Sequence, residues 1–354
     1  MSTKGTMHID EYIKKITGIV ATRKTDSNIV LYRGEPQNYP TPCVPNIFRE
    51  NFIKNYKYFE KNIFDEMKAN KLSKGNSYLE NAISAQHDGF PSRLLDVTYN
   101  SLVALYFACT PYYRKRESEY DDKDGKVFIF FLDKMFCPTG ENITNNYNDL
   151  ILGKENFISY AVFAKNHKLI DHIKINNRII AQQGAFILFQ GSEFENLPRY
   201  MYEELLIPKE AKSTLRKELK SLFGIHTGTI YPEAENLIDE IKRKTLNIEN
   251  SEYSLKSEFD LLLYNLECEI HYYLSLIFKN KRTGMDHIEN FEKAIRSYQL
   301  GISEATVCDV EENEEVFEFA IKRYNELVQT AFSDLKIVFG DKLETSPEYY
   351  LIER

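Results

Sequence analysis

The segment that decides the fold reads Pro-Ser-Arg-Leu-Leu-Asp-Val-Thr-Tyr-Asn-Ser-Leu-Val-Ala-Leu-Tyr-Phe-Ala over residues 91–108. Its first half, residues 93–98, is short and strand-like, and Asn100 is a residue type that caps helices. Residues 102–108 are apolar on every side, which is typical of a helix buried all round. The segment therefore predicts a strand followed directly by a fully buried helix.

Further strand patterns lie on both sides of this segment. Residues 28–34 form an apolar run that ends at a glycine, and prolines interrupt the chain after it, so Arg33 is expected at a strand end facing a loop. Residues 127–132 are continuously apolar, as in a strand buried on both faces. The remaining predicted strands are residues 178–189, 203–208 and 228–232.

Helical periodicity fills most of the rest of the chain. The predicted helices before residue 245 are residues 9–19, 52–67, 209–223 and one ending near 86–89. Beyond that point the period persists over residues 255–277, 288–298 and 316–339. Strands are confined to the first 232 residues. The sequence therefore predicts an α+β domain at residues 1–245 and an all-helical domain at residues 246–354.

Composition excludes several functional classes. The 354 residues carry 45 Lys and Arg against 53 Asp and Glu, a net charge of −8, so a protein that coats nucleic acid or an anionic membrane is not expected. The longest apolar run, residues 102–109, is too short to cross a bilayer, and the start lacks a secretory signal. Five scattered cysteines without a Cys-x-x-Cys pair predict a reduced, cytoplasmic protein.

Sequence motifs of common cofactor sites are also missing. The chain has no phosphate-binding P-loop, no dinucleotide fingerprint and no Gly-x-Ser-x-Gly nucleophile motif. Histidines and cysteines do not have the spacing of metal ligands, so no metal is expected.

Four blocks stand in order within roughly residues 10–240, namely Tyr32-Arg33-Gly34 and residues 85–98, 102–108 and 177–186. Together they resemble the FRG domain family, which is named after a (Phe/Tyr)-Arg-Gly motif. The chain departs from the usual family pattern in having Ser92 for Thr and Val97 for Trp. The resemblance implies a bacterial or phage-associated context, in which some members are toxins or effectors of anti-phage defence.

A second resemblance, to mono-ADP-ribosyltransferases of the Arg-Ser-Glu type, implies a reaction. Their first-strand arginine matches Arg33, and their late glutamate before Leu-Ile-Pro matches Glu204. This likeness implies a mixed, split sheet with flanking helices and NAD as substrate. Tyr202 stands where arginine-specific members carry a first glutamate. Transfer to another target, or hydrolysis of NAD, is therefore the implied activity.

The same resemblance implies roles for individual residues. Glu204 would hold the ribose 2′-hydroxyl and offset the positive charge that forms as nicotinamide leaves. Arg33 would bind the pyrophosphate. The candidate catalytic residues are Glu204, Arg33 and His87. The candidate ligand-binding residues are Tyr32, Gly34, Ser92, Arg93, Asp96, Thr98, Gln183 and Gly184.

Structural alternatives stand beside these roles. Arg33 could pair with Asp96, and Arg93 could pair with Asp96 or bond a loop backbone. His87 is either a turn residue or a general base.

Two further alternatives concern the late strands. Gln183-Gly184 could admit a ligand close to the backbone or form a bulge. Glu204 could be an exposed strand residue, and because side chains alternate on a strand, only one of Glu203 and Glu204 can face a pocket.

Two functions remain open at this stage. The first is an effector that binds NAD or a related nucleotide and cleaves it or transfers ADP-ribose. The second is a non-catalytic sensor or interaction module that binds a partner or a nucleotide signal through the same polar cleft. The C-terminal helices could form a homodimer or dock a protein partner.

Overall fold

The chain divides into two compact units, Met1–Leu246 and Asn247–Arg354. The computed structural model describes residues 7–49, 52–72, 75–112, 115–154, 161–171, 173, 177–246, 248, 250, 253–279, 284–308, 313–340, 343 and 345–353.

Unit 1 is built on one mixed sheet of seven strands. In chain order the strands are β1 (Ile29–Glu35), β2 (Leu94–Thr98), β3 (Gly125–Leu132), β4 (Met135–Phe136), β5 (Lys168–Ile170), β6 (Gly184–Leu188) and β7 (Tyr202–Ile207). Their spatial order is β4-β5-β6-β2-β1-β3-β7, and every neighbouring pair is antiparallel except β4 and β5. The predicted α+β class with a mixed sheet is confirmed.

The pairing between the two central strands is unusually short. β1 and β2 pair at one position, Tyr32 with Thr98, whereas β1 and β3 pair from Ile29–Leu132 to Glu35–Lys126. From the Tyr32–Thr98 pair towards Glu35 on β1 and Leu94 on β2, the two strands therefore diverge. The sheet is continuous, but it opens between its fourth and fifth strands.

The helices of unit 1 pack mainly against one face of the sheet, the face that carries Tyr32 and Phe186. They are α1 (Ile9–Arg23), α2 (Asn46–Arg49), α3 (Phe52–Asn55), α4 (Phe59–Ala69), α5 (Tyr78–Asp88), α6 (Ser101–Cys109), α7 (Glu141–Ile151), α8 (Ala161–Lys165), α9 (Asn177–Gln182), α10 (Lys212–Phe223), α11 (Thr227–Ile230) and α12 (Ala234–Thr245). One apolar cluster joins α1, α6 and α10 to β3, and another joins α4, α5 and α7 to β6.

Three predicted elements differ in the structure. Residues 228–232 were predicted as a strand but belong largely to α11, because His226 and Thr229 form a reciprocal capping box there. Residues 178–182 are helical, and only 184–188 form a strand. The helix predicted over 52–67 is interrupted, and the rings of Phe52 and Phe59 stack across the break with centroids 4.4 Å apart.

Helix α6 is buried as predicted and lies directly against the sheet. The Asn100 side chain accepts from the backbone N–H groups of Leu102 and Val103 at 2.9 and 3.4 Å, which caps its first turn. A Cβ on Gly34 would lie 1.9 Å from the Ala104 carbonyl oxygen, so only glycine allows α6 to approach β1 this closely. The Tyr-Arg-Gly motif therefore contributes a helix-packing position.

Unit 2 contains three long helices, α13 (Leu255–Lys279), α14 (Gly284–Cys308) and α15 (Glu314–Phe339). Their facing apolar residues form a separate core, in which the Tyr324 hydroxyl donates to the Tyr350 carbonyl at 3.0 Å. The predicted helical character of the C-terminal region is confirmed. In the part of the chain that the structure describes, no helix combines the length and apolarity that a membrane crossing requires.

Candidate functional site

A polar cavity of about 610 Å³ lies where β1 and β2 diverge. Both strands contribute to it, as do the loop after β1, the ends of α2 and α5, and the helices α6 and α9. Its lining residues are Tyr32, Arg33, Gly34, Glu35, Pro36, Tyr39, Asn46, Arg49, Gln86, Gly89, Asp96, Val97, Thr98, Phe107, Thr110, Tyr112, Lys115, Tyr120, Arg178, Gln182 and Tyr231. We call this the β1–β2 cavity.

Arg33 spans the opening between the two strands. Its Nη1 donates to the Asp96 carbonyl oxygen at 2.8 Å, and its Nε lies 3.3 Å from a carboxylate oxygen of Glu35. Glu35 is 3% exposed and also accepts from the Cys43 backbone N–H at 3.0 Å. Arg33 thus uses part of its guanidinium to hold the sheet and keeps its charge at the cavity wall.

Arg49 brings a second guanidinium to the same cavity. Its Nε donates to the Val44 carbonyl at 3.2 Å, and none of the carboxylates in the described ranges lies within 4.0 Å of it. Partial desolvation and then the charge of Arg33 lower the pKa of Arg49. An anion between these two arginines would relieve their repulsion.

Only one of the two carboxylate oxygens of Asp96 accepts a hydrogen bond from a described residue. Oδ2 accepts from Gln86 Nε2 at 3.0 Å, while Oδ1 is buried without a hydrogen-bond partner among the described residues. The Ser92 hydroxyl in turn donates to Gln86 Oε1 at 2.8 Å. Ser92 itself is fully buried and does not line the cavity, so this corrects its predicted position: it acts on Asp96 through Gln86.

Two threonine hydroxyls at the cavity differ in how they are used. Thr98 donates to the Gln182 carbonyl at 2.6 Å and accepts from the Asn100 N–H at 3.0 Å, so its hydroxyl joins β2 to α9. Thr110 is 3% exposed, and its hydroxyl has no partner among the described residues. Asp96 Oδ1 and the Thr110 hydroxyl therefore have hydrogen-bonding capacity that the described side chains do not use.

Aromatic rings form a wall of the cavity. Phe107 and Tyr112 each meet Tyr231 edge to face, with ring centroids 6.2 and 6.1 Å apart. The guanidinium carbon of Arg178 lies 5.3 Å from the centroid of the Tyr231 ring. Tyr32, Tyr39 and Tyr120 contribute further phenol rings to the lining. Such a wall can hold a planar ring by stacking.

Arg93 does not reach this cavity, which corrects its predicted position. It is 4% exposed and its Nε lies 2.5 Å from Glu60, which is itself 3% exposed. Its Nη1 donates to the Gly191 carbonyl at 2.5 Å, and the Tyr147 hydroxyl donates to Glu60 at 2.7 Å. We call this group the Arg93–Glu60 cluster. Every charge in it is paired.

Glu204 also lies outside the cavity, which corrects its predicted position. β7 is separated from β1 by β3, and Glu204 stands opposite Phe128. Its carboxylate pairs with Lys126 Nζ at 2.9 Å. Glu203 points to the other face and pairs with Arg23, so the expected alternation of the two acids holds.

The remaining sequence candidates have different positions. Gln183 is exposed and adopts φ 48°, so it turns the chain from α9 into β6, and its neighbour Gln182 lines the cavity instead. Gly184 is buried, and a Cβ there would meet atoms at 3.8 Å, which leaves ordinary space. The side chain of His87 lies outside the described residues. Gly89, with φ 88°, ends α5 beside the cavity.

Several lining residues were not among the sequence candidates. They are Arg49, Gln86, Thr110, Arg178, Gln182 and Tyr231. Gln86 and Arg178 stand inside the blocks that resemble the FRG family, which is a signal that could have found them. Arg49 and Tyr231 lie outside those blocks. Within the described ranges, no three His, Cys, Asp or Glu side chains converge as metal ligands.

Comparison with known proteins identifies one family. Residues 28–117 match the FRG domain model, a stretch that includes Arg33, Arg49 and Asp96 and is shorter than the resemblance seen in the sequence. No curated protein and no solved structure matches the chain. The chain therefore carries an FRG domain match at residues 28–117, and these matched residues form most of the cavity between β1 and β2.

Proposed function

We propose that the β1–β2 cavity binds NAD or a related nucleotide. The observation that carries this proposal is the set of unsatisfied polar groups around one cavity. Arg49 has no carboxylate partner, and Asp96 Oδ1 and the Thr110 hydroxyl have no hydrogen-bond partner among the described residues. A ligand that is both anionic and rich in hydroxyl groups would satisfy all three.

The charges support a diphosphate as the anionic part. Arg33 and Arg49 both line the cavity, close enough for the charge of Arg33 to lower the pKa of Arg49, and guanidinium geometry matches phosphate oxygens in bidentate pairs. The protein has a net charge of −8, so local arginines are needed to hold a nucleotide. The rings of Phe107, Tyr112 and Tyr231 offer a surface on which a planar base can stack.

Asp96 is the carboxylate in this cavity that could support cleavage of NAD. Its free oxygen would accept from a ribose hydroxyl and offset the positive charge at C1′ as the bond to nicotinamide breaks. The bonding electrons leave with the nicotinamide nitrogen. In hydrolysis a water oxygen then bonds C1′ and its proton passes to solvent. In this proposal Asp96 has the role that the sequence assigned to Glu204.

Binding is tested by isothermal titration calorimetry with NAD on the full chain. We expect saturable binding, with affinity reduced about tenfold in Arg49→Gln and unchanged in Lys209→Gln, which removes a charge outside the cavity. Equal affinities for the wild-type, R49Q and K209Q chains would refute the assignment of the cavity.

Cleavage is tested by measuring nicotinamide release chromatographically. Asp96→Asn keeps an acceptor for Gln86 but removes the charge, so release should fall at least a hundredfold. Glu204→Gln is the matched control, and we expect it to retain wild-type release because Glu204 lies outside the cavity. Loss of release in E204Q with retention in D96N would reverse the two roles.

A non-catalytic nucleotide sensor is the second candidate function. Among the described lining residues, the carboxylates are Glu35 and Asp96, and Glu35 is occupied by Arg33 and the Cys43 N–H. No second free carboxylate therefore remains there to act as a general base. The sensor hypothesis predicts saturable NAD binding without nicotinamide release, and with D96N reducing affinity alone.

The biological context is a separate proposal, supported by the FRG family match. As an anti-phage effector, the protein would be toxic on activation. Expression of wild type and D96N in bacteria, with and without phage challenge, would test this: the effector role requires protection by the wild type and its loss in the variant.

A further inference from the structure

A second cavity lies in unit 1, between α10, α11 and α12. Its volume is about 440 Å³, and it is separate from the β1–β2 cavity, although Tyr106 lines one and Phe107 the other. From the charges around it we propose that it is a second binding site, for a small phosphate-bearing ligand. We call it the basic cavity. This proposal does not depend on what the β1–β2 cavity binds.

Three cations give this cavity its character. Lys217 and Lys220 stand three residues apart on α10 and therefore share a face, and Arg243 approaches from α12. None of the three has a carboxylate within 4.0 Å among the described residues. Three cations thus line one concavity without a direct ion pair to any described carboxylate, in a chain whose net charge is −8.

The acids of the basic cavity do not balance these cations. Glu240 is shared between His226 Nε2 at 3.1 Å and Lys244 Nζ at 2.9 Å. Arg216, the fourth lining cation, has its own partner in Asp121 at 2.5 Å. Glu117 is the remaining carboxylate of the described lining, so unpaired cations exceed unpaired acids by three to one.

The titration of His226 reflects the same positive potential. Burial lowers its pKa, Glu240 opposes this, and Lys220, Lys244 and Arg243 lower it further. The net shift is downward despite the carboxylate at 3.1 Å. Protonation of His226 is therefore disfavoured, and the cavity's positive charge comes from its lysines and arginine.

A phosphate group fits this arrangement better than a carboxylate. Its oxygens can accept from several donors at once, and ammonium and guanidinium groups both bind it well. The cavity volume admits a nucleoside phosphate or a sugar phosphate but not a folded partner.

Helix-end stabilisation is the competing explanation for these charges. Lys220 lies in the last turn of α10, and Lys242, Arg243 and Lys244 lie in the last turn of α12, where cations are favourable. Lys242 shares that position but does not line the cavity. It therefore allows a control in which helix-end charge is removed and the cavity is left intact.

The test is calorimetric titration with pyrophosphate on the full chain carrying Arg49→Gln, so that the arginine pair of the other cavity is already broken. We expect one saturable site. Adding Lys220→Gln and Arg243→Gln should weaken it at least tenfold, whereas adding Lys209→Gln and Lys242→Gln should change it less than about twofold. Lys217→Gln alone, a milder change at the cavity, should weaken it severalfold.

Two outcomes would overturn the proposal. One is the absence of saturable pyrophosphate binding to the R49Q chain. The other is an equal loss of affinity in both double variants, which would mean attraction by overall charge. NAD binding by the wild type is measured separately, so failure of the nucleotide proposal and failure of this one give different results.

Discussion

Two groups of charges flank β2, one buried and one partly exposed around the cavity, and they differ in how completely other side chains satisfy them. In the Arg93–Glu60 cluster, the guanidinium, the carboxylate and the Tyr147 hydroxyl all have partners at 2.5–2.7 Å. In the β1–β2 cavity, Arg49 lacks a carboxylate, and Asp96 Oδ1 and the Thr110 hydroxyl lack hydrogen bonds within the described structure.

This difference separates a structural role from a binding role. The protein buries the first cluster and completes it from its own side chains, so nothing remains for a ligand to contribute. Around the cavity, groups of both signs are held in place by Gln86, Glu35 and backbone carbonyls, with bonding capacity left over. Residues of the same types, a few positions apart in the sequence, thus serve different purposes.

The largest expected effect comes from breaking the satisfied cluster. Arg93→Gln leaves Glu60 charged and buried, so the free energy of unfolding should fall by about 3–5 kcal/mol. Arg49→Gln, the matched change at the cavity, should alter it by less than about 1 kcal/mol. Urea denaturation measures both. Similar losses in the two variants would remove the distinction between the cluster and the cavity.

The second prediction concerns the packing beneath the cavity. Gly34→Ala forces the new methyl group against the Ala104 carbonyl, so α6 must shift, and we expect a loss of about 1–3 kcal/mol in unfolding free energy. Gly184→Ala, which meets atoms at 3.8 Å, should change stability by less than about 0.5 kcal/mol. If both alanines are tolerated equally, the close approach of α6 to β1 is not what requires glycine.

The third prediction tests the cavity by its ligand. Arg49→Gln should raise the NAD dissociation constant about tenfold, or ~1.4 kcal/mol, through loss of a charge-assisted contact. Tyr147→Phe, a change in the satisfied cluster, should leave it unchanged once the protein is folded. Calorimetry at constant salt gives both constants. Weaker binding in Y147F than in R49Q would place the ligand at the Arg93–Glu60 cluster and refute its assignment to the β1–β2 cavity.

The fourth prediction compares two hydroxyl groups. Tyr147→Phe removes a hydrogen bond to Glu60 and should lower the unfolding free energy by about 1.5 kcal/mol. Thr110→Val removes a buried hydroxyl that has no partner among the described residues, so stability should stay the same or rise by up to about 1 kcal/mol. Thermal denaturation of the ligand-free chain measures both changes in stability. A loss in T110V would show that its hydroxyl is already bonded.

Local patterns predicted the elements better than the site. The apolar run and Asn100 were enough to predict α6 with its cap, because both signals act within one turn. The 228–232 segment was misassigned because its Thr-Ile-Tyr resembles a strand, whereas the His226–Thr229 capping box determines the helix.

The errors in the predicted site have several causes. Arg93 lies just before β2 and Asp96 lies on it, three positions further along. Their side chains therefore point to opposite faces of the sheet and cannot pair. Glu204 was assigned by its motif, but the order of strands puts β3 between it and β1, and strand order is set by tertiary contacts. Arg49 follows a proline-rich loop that has no periodicity to read.

The single pairing between β1 and β2 determines how well the backbone amides at this joint are protected from exchange with solvent. Strands β4, β5, β6 and β2 form one side of the sheet, and β1, β3 and β7 form the other, and these sides meet through Tyr32 and Thr98 and the bond from Arg33. Few backbone hydrogen bonds therefore protect the facing edges of β1 and β2, although Leu31, Val97 and Ala185 pack in one apolar cluster across this joint. Amide hydrogens along the facing edges of β1 and β2 should then exchange faster than those between β1 and β3.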